Sequence, residues 1–395
     1  MRKHYFLFLL VLLNFSVYAQ YFTLSEDAEI SILTIGPGDN LYDKFGHSAF
    51  RVQDPVNDID RAYNYGVYDF NTPNFYTKFA RGKLQYKLAV SPYEPFLNSY
   101  IAQDRWVEEQ LLNLTYSEKQ ALFNFLQNNA KPENQYYMYD FFFDNCATKI
   151  RDVLVEVLGD KLEYKRDLAA EGLTFRELIQ KNVHYNTWGS LGMDVAIGAV
   201  VDRKATSWEY QFLPEYIYKA AAGATITTSS GAIDLVKETR MIYDTEERHG
   251  SGNFFLSPLF IFGILGLLLV FVTYKNYKNQ QRNRFLDLSI FLITGIIGVI
   301  LTLLWVATDH STTVNNYNLL WAFPFNILFF LMIGKRTPKR WLQRYIFFLI
   351  LLFALLTFHW VTGVQTFAIG FMPLFIGLAV RYLFLNTYLK QQSAS

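Results

Sequence analysis

The C-terminal third of this chain consists of long apolar stretches separated by short polar connections. The stretches occupy residues 254–274, 288–307, 317–334, 345–361 and 367–385. Each is close to the length of about 20 residues that a helix needs to cross the hydrocarbon core of a bilayer. The pattern therefore predicts an all-α membrane domain of five transmembrane helices over residues 254–395.

Another apolar run lies at the N-terminus, where Arg2 and Lys3 precede it and a small residue, Ala19, ends it. This is the pattern of a secretion signal, so we expect residues 1–19 to be a signal peptide that is cleaved after export. The alternative is a retained anchor. No cysteine directly follows the run, so we do not expect the chain to be a lipoprotein itself.

Lysine and arginine are unevenly distributed over the connections between the apolar stretches. The connections KNYKNQQRNR and KRTPKRWLQR are strongly basic, whereas residues 308–316 and 362–366 carry no Lys or Arg. Basic loops stay on the cytoplasmic side of a membrane. The charges therefore place residues 20–253 on the exported side, in agreement with the signal peptide.

The soluble part changes from strand-like to helical periodicity along its length. Apolar and polar residues alternate in EISILTI, HSAFRV and RAYNYGVYDF, whereas we interpret WVEEQLLNL, SEKQALFNFLQNN and LTFRELIQ as helical. We therefore expect an α+β domain over residues 20–221. Residues 222–253 are polar and carry Gly, Ser and Thr, which predicts a tether to the first membrane helix.

Composition narrows the class of function. The chain is 51% hydrophobic and 18% aromatic, with a formal net charge of +1, and offers no basic face for a nucleic acid. It contains no HExxH, CxxC or GxxxxGK[ST] pattern. We therefore expect no metal site and no cofactor.

Cys146 is the only cysteine and lies in FFFDNCATKIRDVLVEVLG. Apolar residues follow it at spacings of three and four, which predicts a helix that begins at Cys146 with Asp144 or Asn145 as N-cap. The free amides and the dipole at a helix N-terminus lower the pKa of a thiol and can receive an oxyanion. Cys146 is therefore a candidate nucleophile; the alternative is a small buried side chain at a helix end.

A cysteine nucleophile needs a base, and His47 and His184 are the histidines of the soluble domain outside the signal and the tether. His47 opens a strand directly after Gly46, where a backbone or a ligand can come close. His184 lies in a polar loop without such a setting. We favour His47; the alternative is a structural strand residue.

A third group should orient the imidazole. On the next strand, Asn64 and Tyr68 share one face, whereas Asp69 lies on the other with Tyr65. We favour Asp69 because a carboxylate best stabilises an imidazolium. The alternative is an aspartate that begins the turn DFNTPN.

The chain resembles the Lnb-type lipoprotein N-acyltransferases of Bacteroidota in GHSAFRV, YNYGVYDFNTPNFYTKFARGKLQYKL, YMYDFFFDNCATKIRD, FLPEYI and TDHSTTVNNYNLLWAFP. More remotely, it resembles the permuted papain-like clan, which includes the lecithin–retinol acyltransferase-like enzymes with their Asn-Cys pair. This implies an antiparallel sheet with a nucleophile helix. Asn145 and Cys146 match the pair, with Asn145 in an oxyanion or positioning role, whereas Ala147 and Thr148 depart from those enzymes' continuation.

The resemblance also implies a reaction and a location. Cys146 would take an acyl chain from a phospholipid as a thioester and pass it to the N-terminal amine of a diacylglyceryl-cysteine lipoprotein. The protein would lie in the bacterial inner membrane with its catalytic domain in the periplasm. Two alternatives stay open: a membrane-anchored cysteine peptidase or amidase acting on cell-wall peptides, and a non-catalytic membrane scaffold.

Two regions are candidates for substrate binding. Aromatic residues, Tyr42 and Tyr65 among them, crowd the region of the proposed site and suit an acyl groove at a membrane interface, unless they form a core. The polar loop ATDHSTTVNNYNLLW lies on the exported side. Its Asp309, His310 and Asn318 would hold a lipid headgroup or the lipoprotein N-terminus, unless the loop is an ordinary turn.

Overall fold

The computed structural model of the chain describes residues 22–164, 166–245 and 253–394, so the predicted signal peptide at residues 1–19 lies outside the described residues. The strands are β1 (Glu29–Ile35), β2 (His47–Asp54), β3 (Ile59–Val67), β4 (Gln85–Pro92), β5 (Val107–Leu112), β6 (Tyr136–Met138), β7 (Leu162–Glu163), β8 (Thr225–Thr228), β9 (Gly231–Asp234) and β10 (Val236–Tyr243). The helices are α1 (Phe75–Ala80), α2 (Tyr93–Ile101), α3 (Tyr116–Asn129), α4 (Cys146–Leu158), α5 (Phe175–Val183), α6 (Trp188–Ala196), α7 (Ser207–Tyr210), α8 (Pro214–Ala222), α9 (Pro258–Lys278), α10 (Arg284–Val306), α11 (Asn326–Ile333), α12 (Trp341–Val361) and α13 (Met372–Ala394).

The N-terminal domain is built on an antiparallel sheet with the strand order β10-β5-β1-β2-β3-β4-β6. Helices α3, α4 and α8 pack on one face, and α2 packs on the other. The interior strand β1 therefore buries apolar side chains on both faces, with Ile30 and Ile32 in one core and Leu33 and Ile35 in the other. The predicted α+β class is confirmed.

Helix α4 begins at Cys146, as its apolar spacing predicts. Ile150 and Leu154 are buried in the core that α4 shares with β2 and β3. Asn145 and Thr148 form a capping box that fixes the first turn. This packing carries Cys146 to the edge of the same core as β2, the strand that begins with His47.

One segment that we interpreted as helical is a strand. WVEEQLLNL forms β5, which lies between β1 and β10 and is buried on both faces. Val107 belongs to one core and Leu112 to the other, so the simple alternation of a half-buried strand is lost. Glu109 is tolerated there because Arg51 pairs with it at 3.1 Å.

The structure contradicts the predicted tether over residues 225–243, whereas residues 246–252 of that segment lie outside the described residues. Within residues 222–253, β8 and β9 form a hairpin that pairs with β7, and β10 joins β5 at the edge of the main sheet. Ile226 and Leu235 are buried in the core. The segment looked like a linker because an edge strand keeps polar side chains, and one of them, Arg240, pairs with Glu29 of β1.

Within residues 253–394, the structure describes four helices long and apolar enough to cross a membrane: α9, α10, α12 and the helix over Ile369–Gln392. The third predicted stretch, 317–334, is instead broken into a 3-10 turn, an irregular segment and the short α11. Pro324 has no amide hydrogen and interrupts helical bonding there. Gly298 of α10 leaves room for the broken segment to pack closely. A Cβ at this position would lie only 2.1 Å from the Ala322 carbonyl oxygen.

The broken segment nevertheless runs from one end of the domain to the other. At one end, Tyr317 donates its amide to Gln365 Oε1 at 2.8 Å. At the opposite end, Arg282 donates to the Ile333 carbonyl at 2.7 Å. The chain therefore passes five times between the two ends, although the third passage is not a continuous helix.

A buried ionic cluster ties three membrane helices together at the end that carries the basic connections. Asp287 of α10 accepts from Arg381 of α13 at 2.6 Å and from Arg282 at 3.0 Å. Arg381 also donates to Asn276 of α9 at 2.8 Å. Asp287 and Arg381 are both 0% exposed, so neither charge is solvated by water.

The N-terminal domain rests directly on the opposite end of the membrane helices. Asn316 donates to the Val195 carbonyl of α6 at 2.8 Å, and Asn318 donates to that of Asp194 at 3.0 Å. Leu191 of α6 packs against the membrane-domain core. The two domains are therefore joined by side-chain packing and hydrogen bonds as well as by the chain.

Candidate active site

Asn145 holds the first turn of α4 in place. Its Oδ1 accepts from the amides of Ala147 and Thr148, each at 2.9 Å. Its Nδ2 donates to the carbonyls of Phe141 and Phe212 at 2.7 and 2.8 Å. Because all of these polar groups are engaged within the protein, Asn145 positions the cysteine and has no donor left for an oxyanion.

His47 is the first residue of β2 and lies close enough to Cys146 for each side chain to shift the pKa of the other. The preceding Gly46 has a φ of 78°, and a Cβ there would lie 2.7 Å from the Ile35 carbonyl oxygen. A glycine is therefore required to start the strand at this point. The predicted nucleophile and base lie together, although they are 99 positions apart in the chain.

The residue that orients His47 is Asn64 of β3, and the prediction of Asp69 is wrong. His47 Nε2–H donates to Asn64 Oδ1 at 2.6 Å, which leaves Nδ1 as the basic nitrogen of the neutral ring. Asp69 instead accepts from the Asn71 amide at 2.8 Å and begins a turn. In the pairing of β2 with β3, Asn64 comes onto the face of β2 that carries His47.

The electrostatics of the pair favour charge separation. Burial raises the pKa of the Cys146 thiol, but the charge and hydrogen bond of His47 and the amides of Ser48 and Ala147 bring it below its ordinary 9.0. Burial lowers the pKa of His47, whereas Cys146 and Asn64 bring it above its ordinary 6.5. Both shifts favour a thiolate beside an imidazolium, which is the reactive form of a cysteine nucleophile.

Asn64→Ala is expected to lower the rate of reactions at Cys146 about 10- to 100-fold, the effect that orienting partners of histidine show at metal sites. Asp69→Ala, the matched control on the same segment, is expected to leave that rate unchanged. The measurement is the rate of acylation of Cys146 by an activated ester. Asn64→Asp is measured as well, because it restores an acceptor oxygen for His47. Equal losses in the Ala variants would contradict the assignment of Asn64.

The two predicted aromatic contacts are in different surroundings. Tyr42 is 77% exposed in the loop before His47 and lies near Tyr68. Tyr65 is 1% exposed in the core, and its hydroxyl donates to Asn129 at 3.1 Å. Tyr65 therefore cannot contact a substrate, whereas Tyr42 remains available.

The polar loop between α10 and α11 contacts the N-terminal domain near the site. Asp309 pairs with Lys83 at 3.4 Å, and His310 donates Nε2–H to the Phe79 carbonyl at 3.1 Å. Both side chains lie at the junction of the two domains. Asn318 is 1% exposed and accepts from Trp321 Nε1 at 2.8 Å, so its predicted role in substrate binding is wrong.

Sequence reasoning missed two groups beside the thiol. The Ser48 amide helps to lower the pKa of the thiol, and a backbone amide leaves no signal in a sequence. Gly66 is the second group, and a Cβ at its position would point toward Cys146. A glycine within the strand YNYGVYDF is a detectable sign that another group comes close to the backbone there. Within residues 22–164, 166–245 and 253–394, no group of three or more His, Cys, Asp or Glu side chains is arranged to hold a metal ion.

Comparison with known families finds one family model in each of the two domains. A family model described as the Lnb N-terminal periplasmic domain matches residues 17–181, and one described as the Lnb transmembrane domain matches residues 250–393. No curated protein and no solved structure matches the chain.

Proposed function

The chain belongs to the Lnb family of membrane proteins with a periplasmic domain, and from this premise we propose that it is a lipoprotein N-acyltransferase with Cys146 as nucleophile. One observation carries the proposal. Cys146 lies beside His47, and His47 is bonded to Asn64, which is the arrangement of nucleophile, base and orienting group that covalent acyl transfer needs. The proposed location is the inner membrane, with both lipid substrates at its periplasmic surface.

In the first half-reaction, a phospholipid donates its acyl chain. His47 takes the thiol proton, and the Cys146 sulfur attacks the ester carbonyl, so that a carbon–sulfur bond forms and the π electrons move to oxygen. When this intermediate collapses, the ester carbon–oxygen bond breaks. The His47 imidazolium protonates the departing alkoxide, which leaves a lysophospholipid and an acyl thioester on Cys146.

In the second half-reaction, the N-terminal amine of a diacylglyceryl-cysteine lipoprotein attacks the thioester. His47 takes the amine proton as the carbon–nitrogen bond forms. The carbon–sulfur bond then breaks, and the Cys146 thiolate leaves beside the protonated His47. Since the amine attacks the activated carbonyl of a thioester, no cofactor or further energy source is needed.

The position of the site relative to the membrane domain supports lipid substrates. Ser311, in the loop after α10, donates to Asp140 at 2.6 Å, and Asp140 lies six positions before Cys146. The nearby segment around α1 exposes Phe70, Tyr76 and Phe79. Exposed aromatic side chains beside the ends of membrane helices are typical of the lipid–water interface.

The alternatives explain fewer observations. A cysteine peptidase or amidase acting on cell-wall peptides would use the same three residues, but it has no need for a domain bonded to the membrane helices. A non-catalytic scaffold gives no reason for a lone thiol and an imidazole whose pKa values shift in opposite directions.

The proposal is tested on the purified full-length protein in micelles that contain dipalmitoyl phosphatidylethanolamine. We expect intact mass spectrometry to show a palmitoyl adduct that hydroxylamine removes and that a diacylated lipopeptide accepts. Cys146→Ala should form no adduct. A wild-type protein that stays unacylated, or an adduct that survives in Cys146→Ala, would refute the proposal.

A further inference from the structure

Tyr137 stands beside the proposed nucleophile without a role in the mechanism so far. It lies in β6, where it pairs with Tyr86 of β4. Its ring makes an edge contact with Tyr65 at 6.2 Å between centroids, and the Lys149 ammonium lies 4.4 Å from its centroid. These contacts fix the ring, and therefore the position of its hydroxyl.

The Tyr137 hydroxyl is buried and has no hydrogen-bond partner among the described residues. The Gly66 amide approaches the phenol oxygen without reaching hydrogen-bond geometry. Buried polar groups in native proteins are nearly always paired, and an exception calls for an explanation such as a catalytic use. The phenol proton is thus a donor without an acceptor.

Gly66 leaves a space between this hydroxyl and the nucleophile. It has a φ of 91° and lies where the pairing of β3 with β4 is irregular. A Cβ at this position would stand 3.6 Å from Cys146 Cβ and 3.9 Å from Tyr137 Oη. The missing side chain therefore keeps open a place that borders both the cysteine and the phenol.

Several other donors near the sulfur are already in use. The amides of Ala147 and Thr148 donate to Asn145 Oδ1, and both hydrogens of Asn145 Nδ2 are donated to carbonyls. Burial and the charge of Cys146 raise the pKa of Tyr137 far above its ordinary 10.0. The phenol therefore keeps its proton at every pH at which the enzyme would work.

Resting on the proposed function, we propose that Tyr137 is a catalytic residue that donates a hydrogen bond to the oxyanion formed when Cys146 attacks an acyl carbonyl. The carbonyl π electrons move to oxygen as the carbon–sulfur bond forms, and Tyr137 keeps its proton throughout. The same bond would serve the intermediate formed by the attacking amine. A hydrogen-bond donor that points at the developing negative charge stabilises the transition state far more in a buried site than it would in water.

The test separates a role in stabilising the oxyanion from a structural one. Alkylation of Cys146 by iodoacetamide is a displacement at a saturated carbon and forms no oxyanion, whereas acylation by dipalmitoyl phosphatidylethanolamine in micelles does. Tyr137→Phe is expected to slow acylation about 10²- to 10³-fold. It should leave the alkylation rate and its pH profile unchanged, since the hydroxyl has no partner to lose.

Tyr65→Phe is the matched control, because it removes the hydroxyl of the neighbouring ring, which bonds Asn129 away from the site. Both rates should remain at the wild-type value. Wild-type acylation by Tyr137→Phe would overturn the role of Tyr137 while leaving the acyltransferase proposal intact. Equal losses in acylation and alkylation would also overturn it, by showing a structural role, and absence of acylation in the wild type would instead refute the proposed function.

Discussion

Replacing His47 by alanine is expected to slow acyl transfer about 10³-fold, within the range of 10²- to 10⁴-fold that a positioned general acid and base supplies. The variant loses the group that, in the proposed mechanism, takes the thiol proton and returns it to the leaving alkoxide. It also loses the positive charge that lowers the pKa of Cys146. Burial, which raises that pKa, is then opposed only by the amides of Ser48 and Ala147.

The pH dependence of alkylation measures this change directly, because Cys146 is the only cysteine in the chain. In the wild type, iodoacetamide should react with Cys146 at pH values below 9.0, and the rate should fall as the pH drops through the lowered pKa of the thiol. In His47→Ala the midpoint should move upward, so the rate at pH 7 should fall. His184→Ala, which removes an exposed imidazole elsewhere in the domain, should not change the profile. An unchanged midpoint in His47→Ala would contradict the pairing of the two side chains.

Asp287→Asn is expected to lower the free energy of unfolding by about 3–5 kcal/mol, the usual cost of removing one partner of a buried ion pair. The substitution leaves the Arg381 guanidinium 0% exposed and without its anion. Nothing in the surrounding helices replaces the lost charge, since the other partners of Arg381 are neutral acceptors on Asn276, Thr273 and the Asn283 carbonyl. Unfolding of the full-length protein by SDS in mixed micelles measures the loss.

Two further variants identify the cause. Glu215→Gln breaks an exposed ion pair with Lys219 and should change stability by less than about 1 kcal/mol. A triple replacement, Asp287→Leu with Arg282→Met and Arg381→Met, removes the charges together and should recover most of the stability. If Asp287→Asn were as stable as the wild type, the cluster would contribute nothing to holding α9, α10 and α13 together.

Periodicity was sufficient to predict the elements whose burial is simple. The helix that begins at Cys146 has one apolar side and a capping residue, and both are visible in the sequence. It was insufficient where both faces of a strand are covered, as in β5, and where an edge strand is polar, as in β10. In those strands the pattern of apolar and polar residues depends on which parts of the protein pack against each face. Those parts are distant in the chain, so the local sequence does not identify them.

In the site, too, some residues could be predicted from the sequence and others could not. Cys146 and His47 could be selected from a short inventory of residue types, because few side chains can serve as nucleophile and base. The choice of Asp69 over Asn64 rested on charge, but strand register decided the contact. Tyr137 lies in a three-residue strand within a run of tyrosines. The sequence alone cannot show which of these tyrosine hydroxyls is buried without a hydrogen-bond partner.

The hydrogen bonds that join Asn316 and Asn318 to α6 have a consequence for the kinetics of such an enzyme. They fix the height of Cys146 relative to the bilayer, so the thiol does not travel to its substrates. In the proposed reaction, donor and acceptor lipids would have to reach it by lateral diffusion in the plane of the leaflet. Turnover would then follow the mole fraction of each lipid in that surface, and adding bulk solution around the same vesicles would leave the rate unchanged.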